Sequence, residues 1–95
     1  MILGIGGKNM SKAAVFGSFV VDLMARSPRL PVPGETVKGS VFKMGPGGKG
    51  FNQGVAAHKA GADVTMISKV GRDSFGEVAF NTMRELQMDT SHMFV

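Results

Sequence analysis

The sequence contains no cysteine, no tryptophan and no tyrosine among its 95 residues. Without cysteine the chain can form no disulfide and offers no thiolate to a metal ion. No apolar run approaches the roughly 18 residues that a membrane-spanning helix needs. The opening stretch, MILGIGGKNMSK, is too short and too rich in glycine to hold the apolar core of a signal peptide. These absences predict a soluble, cytoplasmic protein without a membrane partner.

A run of basic residues is also absent, although the formal net charge is +4. The 11 lysines and arginines are scattered along the chain, and the 7 phenylalanines do not alternate with them. A base-stacking nucleic-acid surface would need aromatic and basic side chains interleaved. The charge therefore indicates a mildly basic surface, and we expect no nucleic-acid partner. A hydrophobic content of 43% indicates a globular chain, which is one domain or part of one.

The apolar stretch AAVFGSFVV, residues 13–21, predicts a strand that is buried on both faces, as strands of parallel sheets are. This strand would end at Asp22. Ligands of open α/β sheets bind beyond the carboxyl ends of the strands, so Asp22 is well placed to meet one. A carboxylate that caps a local turn would explain the same position. Residues 1–12, which include a second candidate start at Met10, are predicted to be a flexible tail or an upstream extension.

Strand and helix patterns alternate along the rest of the chain. A turn-rich stretch, SPRLPVPGE, leads to a half-exposed strand predicted over residues 36–44, and a helix is predicted over about residues 50–60, ended by Gly61. DVTMISKV predicts another strand and SHMFV a last one. Between them, an apolar stripe predicts a helix that Asp73 or Ser74 caps. The stripe consists of Phe75, Val78, Ala79, Met83 and Leu86. The alternation of β and α predicts an α/β fold with a parallel sheet.

The stretch GPGGKGFNQG, residues 45–54, joins the exposed strand to the first helix and holds the main signal for a ligand. Backbone N–H groups of a glycine loop and of the first helical turn point outward together, which favours an anion or a hydroxyl-rich ligand. Lys49 adds a mobile positive charge. A Walker A loop is excluded, because residue 50 is glycine instead of serine or threonine and residue 43 is lysine instead of glycine.

Gly45, Gly47 and Gly50 also match the G-x-G-x-x-G fingerprint of dinucleotide-binding domains. That fingerprint requires an acidic residue about 20 positions further on, or an arginine for a 2′-phosphate. Arg72 and Asp73 lie near that distance, but beyond the end of the next predicted strand. An NADP-binding Rossmann-type domain stays open as the alternative interpretation.

The stretch GGKGFNQGVAAHKAGADVTMISKVGRDSFGE, Gly47 to Glu77, resembles the N-terminal signature of the ribokinase family of carbohydrate kinases, also called the PfkB family. GSFVVD resembles the family's first strand, which ends in a substrate-binding aspartate, and VPGETVKG resembles the start of its lid. The resemblance implies that residues 13–95 are the N-terminal part of a ribokinase-like three-layer α/β/α sandwich with a small β-lid. About residues 31–46 would form the lid and lead into the sugar loop. The resemblance also implies transfer of the γ-phosphate of ATP, with Mg²⁺, to a hydroxyl of a sugar or sugar-like alcohol.

The resemblance assigns four residues to the sugar site: Asp22, Gly48, Lys49 and Asn52. Physical chemistry agrees, because a carboxylate accepts hydrogen bonds from sugar hydroxyls, whereas a lysine ammonium and an asparagine amide donate to hydroxyl oxygens. Two positions depart from the family pattern. Ribose-type members usually carry asparagine where this chain has Val20, which indicates an acceptor less polar than ribose or differently oriented. Gly54 stands where the family usually has alanine, serine or threonine.

In the family, the catalytic base is an aspartate of a GAGD-like motif near the C-terminus, and no such motif occurs here. We therefore assign no catalytic residue and no metal ligand to this chain. We expect a fragment that lacks the C-terminal half and is inactive alone, or else a non-enzymatic, truncated sugar-binding remnant. Because family members often dimerise through the lid, a homodimer through the lid strand is the predicted assembly. His58 is predicted to be exposed. It lies too far from His92 in the sequence for the two histidines to indicate a metal site.

Overall fold

The computed structural model describes residues 11–95 and the backbone of residues 2–5. Its elements, in chain order, are β1 (Ile2–Ile5), β2 (Lys12–Phe16), β3 (Val20–Arg26), β4 (Val41–Gly47), α1 (Lys49–Lys59), β5 (Asp63–Lys69), α2 (Ser74–Glu85) and β6 (Met93–Phe94). The predicted tail thus contains β1 and the first residue of β2, while Met10, the second candidate start, lies outside the described residues. Neither α1 nor α2 is long and apolar enough to cross a membrane.

The main sheet has the strand order β1-β2-β5-β6. β2, β5 and β6 run parallel, with Val15 opposite Met66 and Ser68 opposite Met93, whereas β1 runs antiparallel to β2. Right-handed crossovers that step in the same direction place their helices on the same side, so α1 and α2 cover one face of the sheet. The predicted α/β fold with a parallel sheet is confirmed. The described residues supply the sheet and one helical layer of it.

The core lies between that face of the sheet and the two helices. Val15, Val64 and Met66 of the sheet are buried there, together with Phe51 of α1. Gly54 of α1 lies so close to the sheet that an added Cβ atom would be 2.8 Å from Met66 Sδ. This close approach is consistent with the unexpected glycine, because a Cβ atom there would require either the Met66 side chain or the helix to shift.

α2 begins as the sequence predicts, since the Asp73 carboxylate accepts a hydrogen bond from the Gly76 N–H at 2.8 Å. Ala79 of its apolar stripe is buried in the core. Phe75 requires a correction, because it is 43% exposed and lines a shallow pocket at the N-terminal end of the helix, beside Phe19 and Val21. Helical periodicity identifies the apolar face of a helix, but it does not say how much of that face the sheet covers.

The strand predicted over residues 13–21 is divided in the structure. β2 ends at Phe16, and β3 belongs to a separate two-stranded antiparallel sheet with β4, which we call the lid sheet. The chain leaves the main sheet at Gly17, where an added Cβ atom would lie 2.9 Å from Gly50 Cα at the start of α1. An apolar run gives no sign of such a break, since both pieces have strand composition.

The lid sheet includes more of the chain than the lid predicted over residues 31–46. β3 contributes Val20–Arg26, and β4 covers Val41–Gly47 in place of the strand predicted over residues 36–44. Residues 27–40 connect the two strands. The shift of β4 toward the glycine loop has a consequence for the site, because it brings the loop's first glycines into register with β3.

Candidate functional site

Gly48, which precedes α1, adopts a conformation that favours glycine. Its φ is +98°, and an added Cβ atom would lie 2.5 Å from the Ser18 carbonyl oxygen. The Gly48 carbonyl accepts a hydrogen bond from the Asn52 N–H at 2.9 Å, which starts the helix. No described side chain caps α1, and its first turn contains no acidic residue. The N-terminus of α1 is therefore open to an anion or to a hydroxyl oxygen.

The Asp22 carboxylate lies against the glycine loop. Asp22 is the third residue of β3 and stands opposite Gly45 of β4. A Cβ atom added to Gly47 would lie 2.5 Å from Asp22 Oδ1 and 2.6 Å from Oδ2. Gly47 is thus a candidate site residue that sequence reasoning assigned only to the dinucleotide fingerprint. The available signal was a glycine inside a strand, which often marks a close approach.

The prediction that Asp22 ends the first strand of the parallel sheet is wrong. That strand ends at Phe16, and Asp22 reaches the glycine loop from the lid sheet instead. The physical reason is the pairing of β3 with β4, which places Val20 opposite Gly47. Because Gly47 carries no side chain, the face of the lid sheet beside Asp22 has room for its carboxylate.

Lys49 and Asn52 lie in the first and second turns of α1 with exposed side chains. Among the described residues, neither they nor Asp22 form a side-chain hydrogen bond or an ion pair. Three polar groups are therefore available to a ligand: a carboxylate that accepts hydrogen bonds, an ammonium that donates them and an amide that does both. The structure brings Asp22 to the loop just before Gly48 and Lys49, whereas Asn52 lies one turn further along α1.

A cleft of about 780 Å³ opens at the carboxyl ends of β2, β5 and β6. Its volume is within the roughly 300–1,000 Å³ typical of small-molecule sites. The cleft adjoins the glycine loop, because Ser18 both lines it and contacts Gly48 through its carbonyl. Sequence reasoning missed these residues, since only the parallel pairing of distant strands assembles them. The lining consists of Phe16, Gly17, Ser18, Ile67, Ser68, Lys69, Phe94 and Val95.

The dinucleotide interpretation loses its structural basis. That fingerprint joins a strand of a parallel sheet directly to a helix within a βαβ unit. Here Gly45 and Gly47 lie within β4, which pairs antiparallel with β3 in the lid sheet. Gly47 therefore meets the Asp22 carboxylate, where a dinucleotide site would need backbone N–H groups turned toward a pyrophosphate.

Within residues 11–95, no group of three or more histidine, cysteine, aspartate or glutamate side chains could hold a metal ion. The described residues thus offer no cluster of side-chain ligands for Mg²⁺. His58 is also not the exposed side chain that the sequence predicts, because it is half-buried and its Nε2 donates to the Leu86 carbonyl at 2.6 Å. It ties the C-terminal end of α1 to that of α2, a contact that helical periodicity does not reveal.

The displaced pKa values among the described residues belong to Arg29, Glu35 and Asp89, none of which lies in the glycine loop. Hydrogen bonds from the Arg29 guanidinium and, to a lesser degree, from the Val32 N–H lower the pKa of the Glu35 carboxyl. The same pairing raises the pKa of Arg29. The backbone N–H and the hydroxyl of Ser91 lower the pKa of Asp89.

Comparison with known proteins agrees with this fold. Residues 10–95 match the family described as "pfkB family carbohydrate kinase". The chain is 43% identical over 84 residues to a ribokinase of Bacillus subtilis (strain 168), an alignment that covers 88% of this chain and 29% of the relative. It is 47% identical over 74 residues to a deoxyribokinase of Salmonella typhi, with 78% of this chain and 23% of the relative covered.

The structure also superposes, with a TM-score of 0.72 and 28% sequence identity, on the crystal structure of ribokinase from Cryptococcus neoformans var. grubii serotype A in complex with ADP. That superposition covers 86% of this chain and 26% of the other. The chain thus spans between 23% and 29% of the lengths of these three proteins. With a family match over nearly all its residues, the chain belongs to the pfkB family of carbohydrate kinases.

Proposed function

We propose that this chain carries the acceptor-binding part of a carbohydrate kinase that phosphorylates a hydroxyl of a pentose. The observation that carries the proposal is the Asp22 carboxylate lying over Gly47, beside the open N-terminus of α1. A hydrogen-bond acceptor and a set of donors thereby meet at one place, as a polyhydroxylated ligand requires. The relatives named ribokinase and deoxyribokinase support a pentose as that ligand.

Each candidate residue has a role in this proposal. Asp22 accepts hydrogen bonds from acceptor hydroxyls, while Lys49 and the Asn52 amide donate to hydroxyl oxygens. Gly48 lets the acceptor approach the backbone N–H groups of the first turn of α1. ATP is the proposed phosphate donor, which the ADP bound to the ribokinase relative supports. Mg²⁺ would neutralise the transferring phosphates, and the described residues contain no group of three or more side chains that could hold it.

We also propose that the chain alone transfers no phosphate. Phosphoryl transfer depends on positioned charges around the γ-phosphate and on a base for the attacking hydroxyl. The sequence contains no GAGD-like motif to supply that base. An ADP-release assay with Mg²⁺, ATP and a panel of pentoses should therefore equal its no-protein control, and clear turnover would contradict this part of the proposal.

Acceptor binding can be tested directly on the ¹⁵N-labelled chain by NMR titration with D-ribose and with 2-deoxy-D-ribose. We expect saturable shifts of the amide signals of residues 47–52. Asp22→Asn should weaken binding roughly tenfold to a hundredfold, because losing a hydrogen-bonded partner of a buried hydroxyl costs about 1–3 kcal/mol.

Asp63→Asn is the matched control for this experiment. It removes the same charge from an exposed residue at the amino end of β5, whereas the cleft lies at the carboxyl end. The control should leave the affinity unchanged. Equal losses in the two variants would mean that net charge alone acts on the sugar. No saturable shift with any pentose would refute the acceptor site.

A homodimer through the lid sheet is the assembly that we propose. Side chains alternate between the two faces of a strand, so Leu23, Phe42 and Met44 share the face opposite Asp22. They are 54%, 65% and 51% exposed, respectively. Such an apolar face on a two-stranded sheet supports burial against a second copy, because a two-stranded sheet gains little stability by itself.

A further inference from the structure

The first strand, β1, lies before the part of the chain that matches the kinase family, which begins at residue 10. It pairs antiparallel with β2, from Ile2 opposite Val15 to Ile5 opposite Lys12. On its other side β2 pairs with β5. β1 therefore occupies an edge of β2 to which the family-matching part of the described chain contributes no strand.

The outer edge of β2, which we define as the side paired with β1, has the features of an edge that accepts an added strand. Its sequence, KAAVF, contains no proline, and its one charged residue, Lys12, is exposed at the end of the strand. Val15 is buried, so β2 is anchored in the core whatever pairs with its outer edge. Proline, an inward-pointing charge or a bulge would block pairing along an edge, and β2 has none of them. β1 shows that an antiparallel strand fits there.

We propose that the outer edge of β2 is a strand-binding site that accepts β1 of a second copy of this chain, so that two copies exchange their first strands. The exchanged pair keeps the backbone pairing that β1 makes within one chain. The link between the two strands, GGKNMS, is short and begins with two glycines. A short flexible link favours the closed chain by an effective concentration on the order of millimolar. The exchanged dimer is therefore a minor form in dilute solution and increases with chain concentration.

Disulfide trapping between two full-length chains tests the exchange, because the chain has no cysteine of its own. One chain carries Leu3→Cys and the other Ala14→Cys, at positions that stand opposite each other in the β1–β2 pair. Opposed Cα atoms of antiparallel strands lie about 4.5–5.5 Å apart, which a disulfide can span. Both chains also carry Leu23→Lys, so that the lid sheet does not hold the copies together. After oxidation in air, mass spectrometry without reductant should find at least about tenfold more cross-linked heterodimer than in the control mixture, because pairing concentrates the two thiols locally.

The control mixture pairs the Leu3→Cys chain with an Ala56→Cys chain, whose new thiol lies on the exposed side of α1. A third chain carries Leu3→Cys and Ala14→Cys together and should close its disulfide internally. Internal closure without heterodimer above the control level would show that β1 stays with its own chain, which overturns the exchange. Closure in neither arrangement would contradict the pairing of β1 with β2 and overturn the exchange as well. Neither result bears on pentose binding, which the titration with sugars measures separately.

Discussion

The hydrogen atom that Gly47 carries in place of a side chain is what lets Asp22 reach the glycine loop. The position that a Cβ atom would take is 2.5 Å from Asp22 Oδ1 and 2.6 Å from its Cγ, well inside van der Waals contact. Any larger residue at 47 would have to displace the carboxylate. The neighbouring Gly45 is different, because an added Cβ atom there would meet nothing within 4 Å. Two glycines of one strand thus have unequal importance for the site.

Gly47→Ala should move the Asp22 carboxylate without unfolding the chain. We expect a change in the ¹³C carboxyl shift of Asp22 in the ligand-free protein, together with a loss of pentose affinity of about tenfold or more. The free energy of unfolding should change by no more than about 1 kcal/mol, because alanine suits a strand at least as well as glycine does.

Gly45→Ala serves as the control for that substitution, since it adds the same methyl group to the same strand. The Asp22 carboxyl shift should stay at its wild-type value in this variant. If both variants moved the Asp22 signal alike, the close contact with Gly47 would not be what positions the carboxylate.

Among the elements, the connection between β3 and β4 contains an ion pair that stabilises a local turn. Arg29 bonds the Glu35 carboxylate with both of its terminal nitrogens, and the bond from Nη2 to Oε2 measures 2.9 Å. The Val32 N–H donates to Glu35 Oε1 at 3.2 Å, while the Glu35 N–H donates to the Val32 carbonyl at 3.0 Å. This turn orders an exposed segment that has no buried core of its own.

This turn should loosen in acid. The pKa of Glu35 is lowered below its ordinary value of 4.5 by Arg29 and then by the Val32 N–H. A carboxyl whose pKa is lower in the folded state stabilises that state above its ordinary pKa, and this contribution is lost as the pH falls through the lowered value. In an NMR titration, the Glu35 carboxyl should therefore have its midpoint below 4.5, and the Val32 amide signal should move with it.

Arg29→Gln should raise the Glu35 midpoint toward its ordinary value, whereas Arg72→Gln, in the loop before α2, should not. A midpoint for Glu35 that Arg29→Gln leaves in place would show that the ion pair does not form in solution. Because Arg29 is exposed and Glu35 is only partly covered, water screens the pair and its contribution to stability is small.

At the scale of the whole molecule, large apolar side chains of the described residues are exposed at several places, two of which are considered for association. One is the apolar face of the lid sheet that carries Leu23, Phe42 and Met44. The other is the carboxyl end of the main sheet, where Phe94 and Val95 are 54% and 50% exposed. Exposed apolar patches of this kind mark interaction surfaces in soluble proteins.

The chain should self-associate through the first of these surfaces. Sedimentation equilibrium of the wild-type chain should give a dimer mass at micromolar concentration, and Leu23→Lys should shift the equilibrium toward monomer by at least about tenfold, since a charge would be buried in the interface.

Val95→Lys places the same charge on the second surface and is the control for association through the lid. It should leave the dimer intact. A wild-type chain that sediments as a monomer, or a dimer that Val95→Lys disrupts while Leu23→Lys does not, would contradict association through the lid sheet.

The elements that follow the glycine loop could be predicted from local sequence. The first helix, expected over about residues 50–60, spans Lys49–Lys59, and Asp73 caps α2 as its position indicates. Amphipathic periodicity and capping depend on residues within a few positions of each other, so the sequence carries them directly. The glycine loop with Lys49 and Asn52 could be recognised for the same reason, since its signal is one contiguous stretch.

Tertiary contacts determined the features that no contiguous stretch of the sequence could predict. Composition alone makes residues 13–21 one strand, and it was the packing of Gly17 against Gly50 that ended β2 at Phe16. Asp22 therefore entered the site from the lid sheet, and its contact with Gly47 followed from the pairing of β3 with β4. These features depend on residues far apart in the chain, whose proximity is a property of the folded molecule. A glycine inside a strand can mark a close approach, but it does not identify the partner.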